Sequence, residues 1–235
     1  ATEKFSTLFP NKNFNELEQR FKSNTPYENP RKPFLIEHFS TDFLELVNPF
    51  VQLALDPVIL KIVSQYISAW PRLYDIRLWE TKLMKEGQER IYSQKWHRDP
   101  EDKKLLNMFI YFSDVDDGAG PFIYIPKTHS DGVYWKTFPQ ILPPIASYPP
   151  EHLVEKVFPI QKRKICTASK GTVIFADTAG LHQGGNSKTK PRLMFKALYI
   201  SDGNFYAHKT RYQKINTHGD RFEFTGQQLY ALGII

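Results

Sequence analysis

The sequence predicts a mainly β fold, a sandwich or barrel carried on a helical buttress, and three observations lead to it. Short apolar runs follow one another in the second half of the chain, at Leu105–Phe112, Pro121–Ile125, Lys164–Thr167, Thr172–Phe175 and Leu193–Ser201. Turn signals separate them at Asp116-Asp117-Gly118, Lys170-Gly171 and Gly184-Gly185-Asn186. Helical spacing is concentrated before residue 70. With 235 residues, 41% hydrophobic and 14% aromatic, the chain can bury a large core, and barrels of this length are commonly single domains. One domain over 1–235 is therefore expected: a buttress over 1–70, a β core over about 74–200, and a tail over 201–235 that packs back on the core.

Taken in order, Phe14, Leu17 and Phe21 predict a short amphipathic helix, and Pro26, Pro30 and Pro33 then impose an extended arm. Helical spacing resumes after Ser40-Thr41-Asp42 with Phe43, Leu44, Val47 and Phe50. Asp56-Pro57 is an N-cap followed by proline in first position, opening a helix through Ile59, Leu60, Val63 and Ile67. Tyr74 to Lys85 reads as the first main strand, closed by Glu86-Gly87-Gln88. The proline- and aromatic-rich insertion over 133–165, with Tyr134, Trp135, Phe138, Pro143, Pro144 and Tyr148, has no strand period. It is either a lid over a substrate pocket or simple packing over the sheet. Phe222, Phe224, Leu229 and Tyr230 give the tail its apolar contacts.

Composition excludes several classes. No apolar run reaches 18 residues, so no membrane span is expected, and Ala-Thr-Glu-Lys-Phe lacks the pattern of a signal peptide. The single cysteine, Cys166, has no internal partner, which fits a reducing, cytoplasmic setting, and between Ile165 and Thr167 it reads as a packed strand residue. The net charge of +6 comes from basic groups scattered apart from Lys162-Arg163-Lys164. Without a basic stripe interleaved with aromatics, no nucleic-acid partner is expected. A modest attraction for small anions remains.

Three His-x-Asp pairs occur, at His97/Asp99, His129/Asp131 and His218/Asp220. Context separates them. His129 lies in a Lys-Thr-His-Ser-Asp-Gly turn, and His218 in Thr-His-Gly-Asp with no strand and arginine after it. His97 and Asp99 precede the long run from Leu105, and the run ending at Asp177 delivers His182 on the loop beyond it. Two apart on an extended strand end, His97 and Asp99 point the same way, and His182 must arrive from a partner strand. Two neutral imidazoles and one carboxylate on one face of an octahedral ion leave three positions open, as non-heme iron(II) requires. The competing reading is of buried histidines satisfied by hydrogen bonds.

His97-x-Asp99, Ser113-Asp114-Val115, Gly120-Pro121-Phe122, Ile125-Pro126-x-x-His129, Gly171-Thr172-Val173-Ile174-Phe175-x-Asp177-Thr178, and His182 with Arg192 together resemble the phytanoyl-CoA dioxygenase family over about residues 74 to 200. The resemblance implies a double-stranded β-helix, the jelly-roll, cupin-like core of iron(II)- and 2-oxoglutarate-dependent oxygenases. It implies that His97, Asp99 and His182 hold the metal, that Arg192 pairs with the far carboxylate of 2-oxoglutarate by two parallel hydrogen bonds, and that Asn107 adds a polar contact to the cosubstrate. Thr81 and Lys82 are candidates for the contacts of the earlier strand. Gly184 departs from relatives that carry a hydroxyl residue there. Trp96 is either wall or substrate contact.

The implied reaction consumes molecular oxygen and 2-oxoglutarate, releases succinate and carbon dioxide, and hydroxylates an unactivated C–H bond of a small or medium-sized substrate, an anionic one being among the candidates. Halogenating relatives lack the carboxylate ligand, so Asp99 implies hydroxylation. Two alternatives stand beside this reading: the same fold serving as a non-catalytic binding module, and an oxygenase acting on a protein or nucleic acid. Substrate identity and oligomeric state are not written in the sequence.

Overall fold

The computed structural model describes residues 1–22, 25–40, 46, 48–141, 147–204 and 223–235. The helical positions Phe43, Leu44 and Val47, the prolines Pro143 and Pro144, the pair His218/Asp220, and Phe222 lie outside the described residues. In chain order, β1 (Thr2–Lys4) leads into α1 (Phe5–Leu8) and α2 (Phe14–Lys22), and the arm that follows carries β2 (Tyr27–Glu28) and β3 (Leu35–Ser40). Helices α3 (Pro49–Ala54) and α4 (Pro57–Ile67) precede β4 (Arg72–Thr81), β5 (Leu106–Tyr111) and β6 (Phe122–Tyr124). Then come α5 (Glu151–Val157), β7 (Lys164–Cys166), β8 (Thr172–Ala176), β9 (His182–Gly184), β10 (Leu193–Ile200) and α6 (Gly226–Ala231).

Seven strands form one sheet in the order β1-β8-β5-β10-β4-β3-β2, and three form a second in the order β7-β6-β9. All pairings are antiparallel. The large sheet is buried on both faces, which is why β5 and β10 read as unbroken apolar runs rather than alternating ones. On one face Ile76 and Leu78 of β4, Met108 and Ile110 of β5, and Phe195 and Ala197 of β10 pack on α3 and α4. On the other, Phe109, Tyr111, Ile174 and Met194 meet Phe122 and Cys166 of the small sheet.

The buttress follows its local signals. The Asp56 carboxylate accepts from Val58 N at 2.9 Å with Pro57 in the first turn, and the expected Ile59, Leu60, Val63 and Ile67 are the buried residues of α4. Asn48 caps α3 through Phe50 N at 2.9 Å. The tail returns to the core, with Ala231 and Leu232 buried and the Arg72 guanidinium 3.9 Å from the Tyr230 ring centroid. Among the described residues no helix is long and apolar enough to cross a membrane.

Four elements differ from the sequence reading. The arm is not merely extended, because β3 pairs with β4, and a bulge between Glu37 and Phe39 re-aims the strand. Glu37 faces the interior beside Trp79, while Phe39 turns to the helix side beside Leu78. β1 covers the edge of β8, a role set by the partner's open hydrogen bonds rather than by any pattern in Thr2–Lys4. The insertion contains α5, too short to show a period, anchored by Val154 against Trp96, Phe158 and Leu181. The first main strand also ends at Thr81 rather than Lys85, since Lys82 and Met84 give their amides to loop carbonyls of Phe34 and Ser187.

Candidate metal centre

The extended segment 97–99 is stitched into the barrel by its backbone. His97 N donates to His182 O at 2.9 Å and His182 N to His97 O at 3.0 Å, and Asp99 N donates to Thr178 O at 2.9 Å. Strand alternation sends His97 and Asp99 to the interior and turns Arg98 the opposite way. β9 brings His182 to the same point, so one ligand atom from each of His97, Asp99 and His182 lies within 4.8 Å of the others. Each imidazole Nε2 faces Asp99 Oδ1, at 3.7 Å from His97 and 3.8 Å from His182. The three donor atoms thus converge on one small space, within reach of a single shared ion.

The hydrogen bonds select the tautomer. His97 Nδ1 lies 2.9 Å from Lys95 O and His182 Nδ1 3.0 Å from Gly180 O. A carbonyl only accepts, so each Nδ1 carries the proton and each Nε2 lone pair is left for a metal. Burial pushes both imidazoles below their usual pKa, and for His97 the neighbouring His182 adds to it. Burial works to raise Asp99, but the two imidazoles, Lys196 and the Thr178 hydrogen bond outweigh it and hold the carboxyl below its ordinary value. Its outer oxygen, Oδ2, accepts from Thr178 Oγ1 at 2.5 Å and from Asn107 Nδ2 at 3.4 Å, which leaves Oδ1 aimed at the imidazoles.

Asn107, fully buried, gives Nδ2 also to Thr178 Oγ1, while its Oδ1 has no partner. It lines the cavity beside Asp99, where its amide nitrogen helps orient the carboxylate. Thr178 was legible as a motif position, but nothing in the sequence indicated that it would hold Asp99.

A cavity of about 320 Å³ opens from the triad, at the small end of the roughly 300–1,000 Å³ typical of small-molecule pockets. Arg192 lines it, 4% exposed. Its Nη1 donates to Gly120 O, it faces the Tyr111 hydroxyl, and its Nε has no partner. No carboxylate among the described residues pairs with it. Burial drives this guanidinium below its usual pKa, so the chain alone leaves a cation under-compensated here. That environment fits the carboxylate of an entering ligand. The Gly120 carbonyl is held by a close approach of two glycines, since a Cβ on Gly120 (φ +69°) or on Gly185 would overlap the other's backbone.

The remaining expectations fall as follows. Thr81 Oγ1 is engaged with Ser187 Oγ at 2.5 Å and Arg192 N at 2.9 Å, so it positions the arginine's backbone. Lys82 pairs with Glu28 at the rim. At Gly184 a Cβ would stand 3.6 Å from Arg192 Nη2, so a hydroxyl residue would reach the guanidinium, and this chain leaves that space open. Trp96 is fully buried against Ile125 and Leu181, behind the ligand strand, and is wall. Cys166 is a packed strand residue whose thiol burial pushes up. His129 sits in its turn, with Gly132 N donating to its carbonyl at 2.9 Å, away from the triad.

Arg98, between two of the ligands, was given no role by sequence reasoning. It is 2% exposed and donates to the carbonyls of Phe138, Ala179, Thr128, Thr137 and Trp135. These bonds fasten residues 135–138 of the insertion to the back of the ligand strand. Gln140 adds Nε2 to Asp99 O at 2.6 Å, and Tyr148 stacks on the His97 ring at 5.7 Å. The described part of the insertion is therefore tied to the site.

No family model matches the chain, and no curated protein matches it. Solved structures do share its fold. The epimerase SnoN in complex with Fe3+, alpha-ketoglutarate and nogalamycin RO aligns over 91% of this chain and 85% of its own, with a TM-score of 0.58 at 17% identity. EctD from S. alaskensis, with 2-oxoglutarate and 5-hydroxyectoine, aligns over 82% and 70%, with a TM-score of 0.56 at 19% identity. HygX from Streptomyces hygroscopicus, with nickel, 2-oxoglutarate and hygromycin B bound, aligns over 80% and 79%, with a TM-score of 0.51 at 18% identity. The fold is a double-stranded β-helix, as the motifs implied. The likeness to the phytanoyl-CoA dioxygenase family rests on those motifs alone.

Proposed function

We propose that the chain is a non-heme iron(II)- and 2-oxoglutarate-dependent oxygenase that hydroxylates an unactivated C–H bond of a small or medium-sized organic molecule. Residues 1–235 work as one oxygenase unit in this reading, in a reducing, cytoplasmic setting. The observation that carries it is the pairing, in one cavity, of the His97/Asp99/His182 cluster with a buried Arg192 that has no carboxylate partner. A non-catalytic binding module would have no reason to keep both. The fold is shared with enzymes crystallised with iron or nickel and 2-oxoglutarate, which supports the choice of cofactor and cosubstrate.

In this reading His97 and His182 ligate through Nε2 and Asp99 through Oδ1, with Thr178 and Asn107 setting the carboxylate's orientation. Arg192 takes the far carboxylate of 2-oxoglutarate. When bound, the iron supplies oxygen activation, coupled to loss of carbon dioxide from the cosubstrate and formation of succinate. The protein's part is to orient the reactants and to exclude water. Phe109, Phe122 and Met194 line the Arg192 end of the cavity, and Tyr148 covers His97.

Anaerobic titration with iron(II) and 2-oxoglutarate tests the reading, followed by a metabolite screen scored by succinate release on admitting air. Binding of one iron per chain and cosubstrate-dependent succinate are expected, and absence of metal binding overturns it. The reaction type is tested separately, since the fold is also that of an epimerase and a carbocyclase. A product heavier by one oxygen is expected even in excess chloride or bromide, because Asp99 fills the ligand position. A halogenated product, or one of unchanged mass, would refute hydroxylation.

A further inference from the structure

Further along the sheet face that carries Arg192 stands a charged wall that neither the metal nor the cosubstrate uses in this reading. Asp75 and Arg77 of β4 and Lys196 of β10 project from it, and Lys196 lies directly opposite Arg77 in the strand register. Like charges in that position repel. The buried Asp75 offsets them, its Oδ2 receiving Arg77 Nε at 2.8 Å and Lys196 Nζ at 3.1 Å. Glu37, which the β3 bulge turns inward, takes Arg77 Nη1 at 3.2 Å. Two cations are thus matched by two carboxylates. Asp75 is held well below the carboxylate range because Lys196 and Arg77 outweigh its burial.

Lys32, on the arm before β3, breaks this balance. It lines the same cavity and is half-buried. Burial first, then Lys196 and Arg77, lower its ammonium's pKa. Among the described residues no carboxylate forms an ion pair with it. Asp99 lies within its electrostatic reach but belongs to the ligand cluster. Glu101 lines the cavity too, its Oε2 without a partner and its carboxyl not bonded to Lys32.

We infer that Lys32 is the docking point for an anionic group, a carboxylate or phosphate, on a small polar substrate, with the Asp75–Arg77–Lys196 wall and the free Glu101 oxygen receiving its other polar atoms. The charged wall excludes a hydrocarbon chain, since an acyl tail would strip water from these groups and return no hydrogen bonds. The inference rests on the proposed function for the identity of the cavity, because Arg192 is reserved there for the cosubstrate.

The test uses nickel(II) as a redox-silent metal and saturating 2-oxoglutarate. The probes are the L-amino acids, C3–C6 hydroxy acids and their phosphate monoesters, each carboxylate paired with its primary amide, read by thermal shift. At least one carboxylate or phosphate is expected to raise the melting temperature while its neutral counterpart does not. Lys32→Met should abolish that response and Lys32→Arg should restore it, with 2-oxoglutarate affinity unchanged within twofold in both. Without any ligand, Lys32→Met should raise the melting temperature by about 2–4 °C, because a half-buried cation crowded by Lys196 and Arg77 is removed. Lys32→Gln repeats this arm should the methionine variant not fold.

A wild-type protein indifferent to every anion overturns the inference, as does a lower melting temperature in both unliganded variants. Loss of 2-oxoglutarate binding in Lys32→Met reassigns the lysine to the cosubstrate. Failure of the wild type to bind nickel and 2-oxoglutarate at all refutes the proposed function instead.

Discussion

Arg98 and Arg192 are both buried guanidiniums without a carboxylate partner among the described residues, and they stand on opposite sides of the same ligand strand. Arg98 spends its donors on five backbone carbonyls, so its hydrogen bonding is complete within the chain. Arg192 gives Nη1 to one carbonyl, faces a tyrosine hydroxyl, and keeps Nε without a partner. A buried cation with closed bonding is architecture, because its removal strands acceptors. A buried cation with open bonding waits for a ligand, because its own surroundings do not compensate it.

The largest effect should come from breaking the closed member. Arg98→Met strands five carbonyls and releases the insertion, so urea unfolding is expected to show a loss of at least about 3 kcal/mol. A loss under about 1 kcal/mol would place Arg98 with ordinary surface residues and undo the contrast. Arg192→Met should do the reverse. Apo stability is expected to hold or rise, while calorimetric 2-oxoglutarate affinity falls by roughly 2–5 kcal/mol with metal binding intact. Unchanged cosubstrate affinity would make the open bonding meaningless.

Smaller effects sharpen the same distinction around the metal. Thr178→Val removes the short hydrogen bond to Asp99 Oδ2 and should weaken metal binding by about 10–100-fold without unfolding the chain. The smallest response is expected at the turn histidine: His129→Ala should leave metal affinity within about twofold, since its side chain is not part of the cluster, whereas His182→Ala should abolish tight binding. Equal losses at both positions would mean that the wrong His-x-Asp partner was chosen.

Local signals were enough wherever the cause was local. The Asp56-Pro57 cap and the spacing of Ile59, Leu60, Val63 and Ile67 specified α4, because a capping side chain and a 3.6-residue period act within a few residues. The runs that became β5, β8 and β10 were legible because both faces of their sheet are buried. The triad was legible from the two-residue spacing of His97 and Asp99 and the position of His182 after β8. Arg192 stood out by its place before β10, and the structure buries it in the same cavity.

Register decided the rest. Lys196 interrupts the apolar run of β10, and its meaning depends on lying opposite Arg77, over a hundred residues away in sequence. The inward turn of Glu37 depends on a bulge created by pairing with β4, and the role of Arg98 on carbonyls from three separate loops. Lys32 carried no signal at all in a proline-rich arm. The sequence by itself determined the main core strands, α4 and the candidate cluster of His97, Asp99 and His182, because periodicity, caps and strand alternation are properties of neighbouring residues. The charged wall of Asp75, Arg77 and Lys196 and the contrasting hydrogen bonding of the two arginines were decided only by tertiary structure, because they follow from which distant segments pair and in what register.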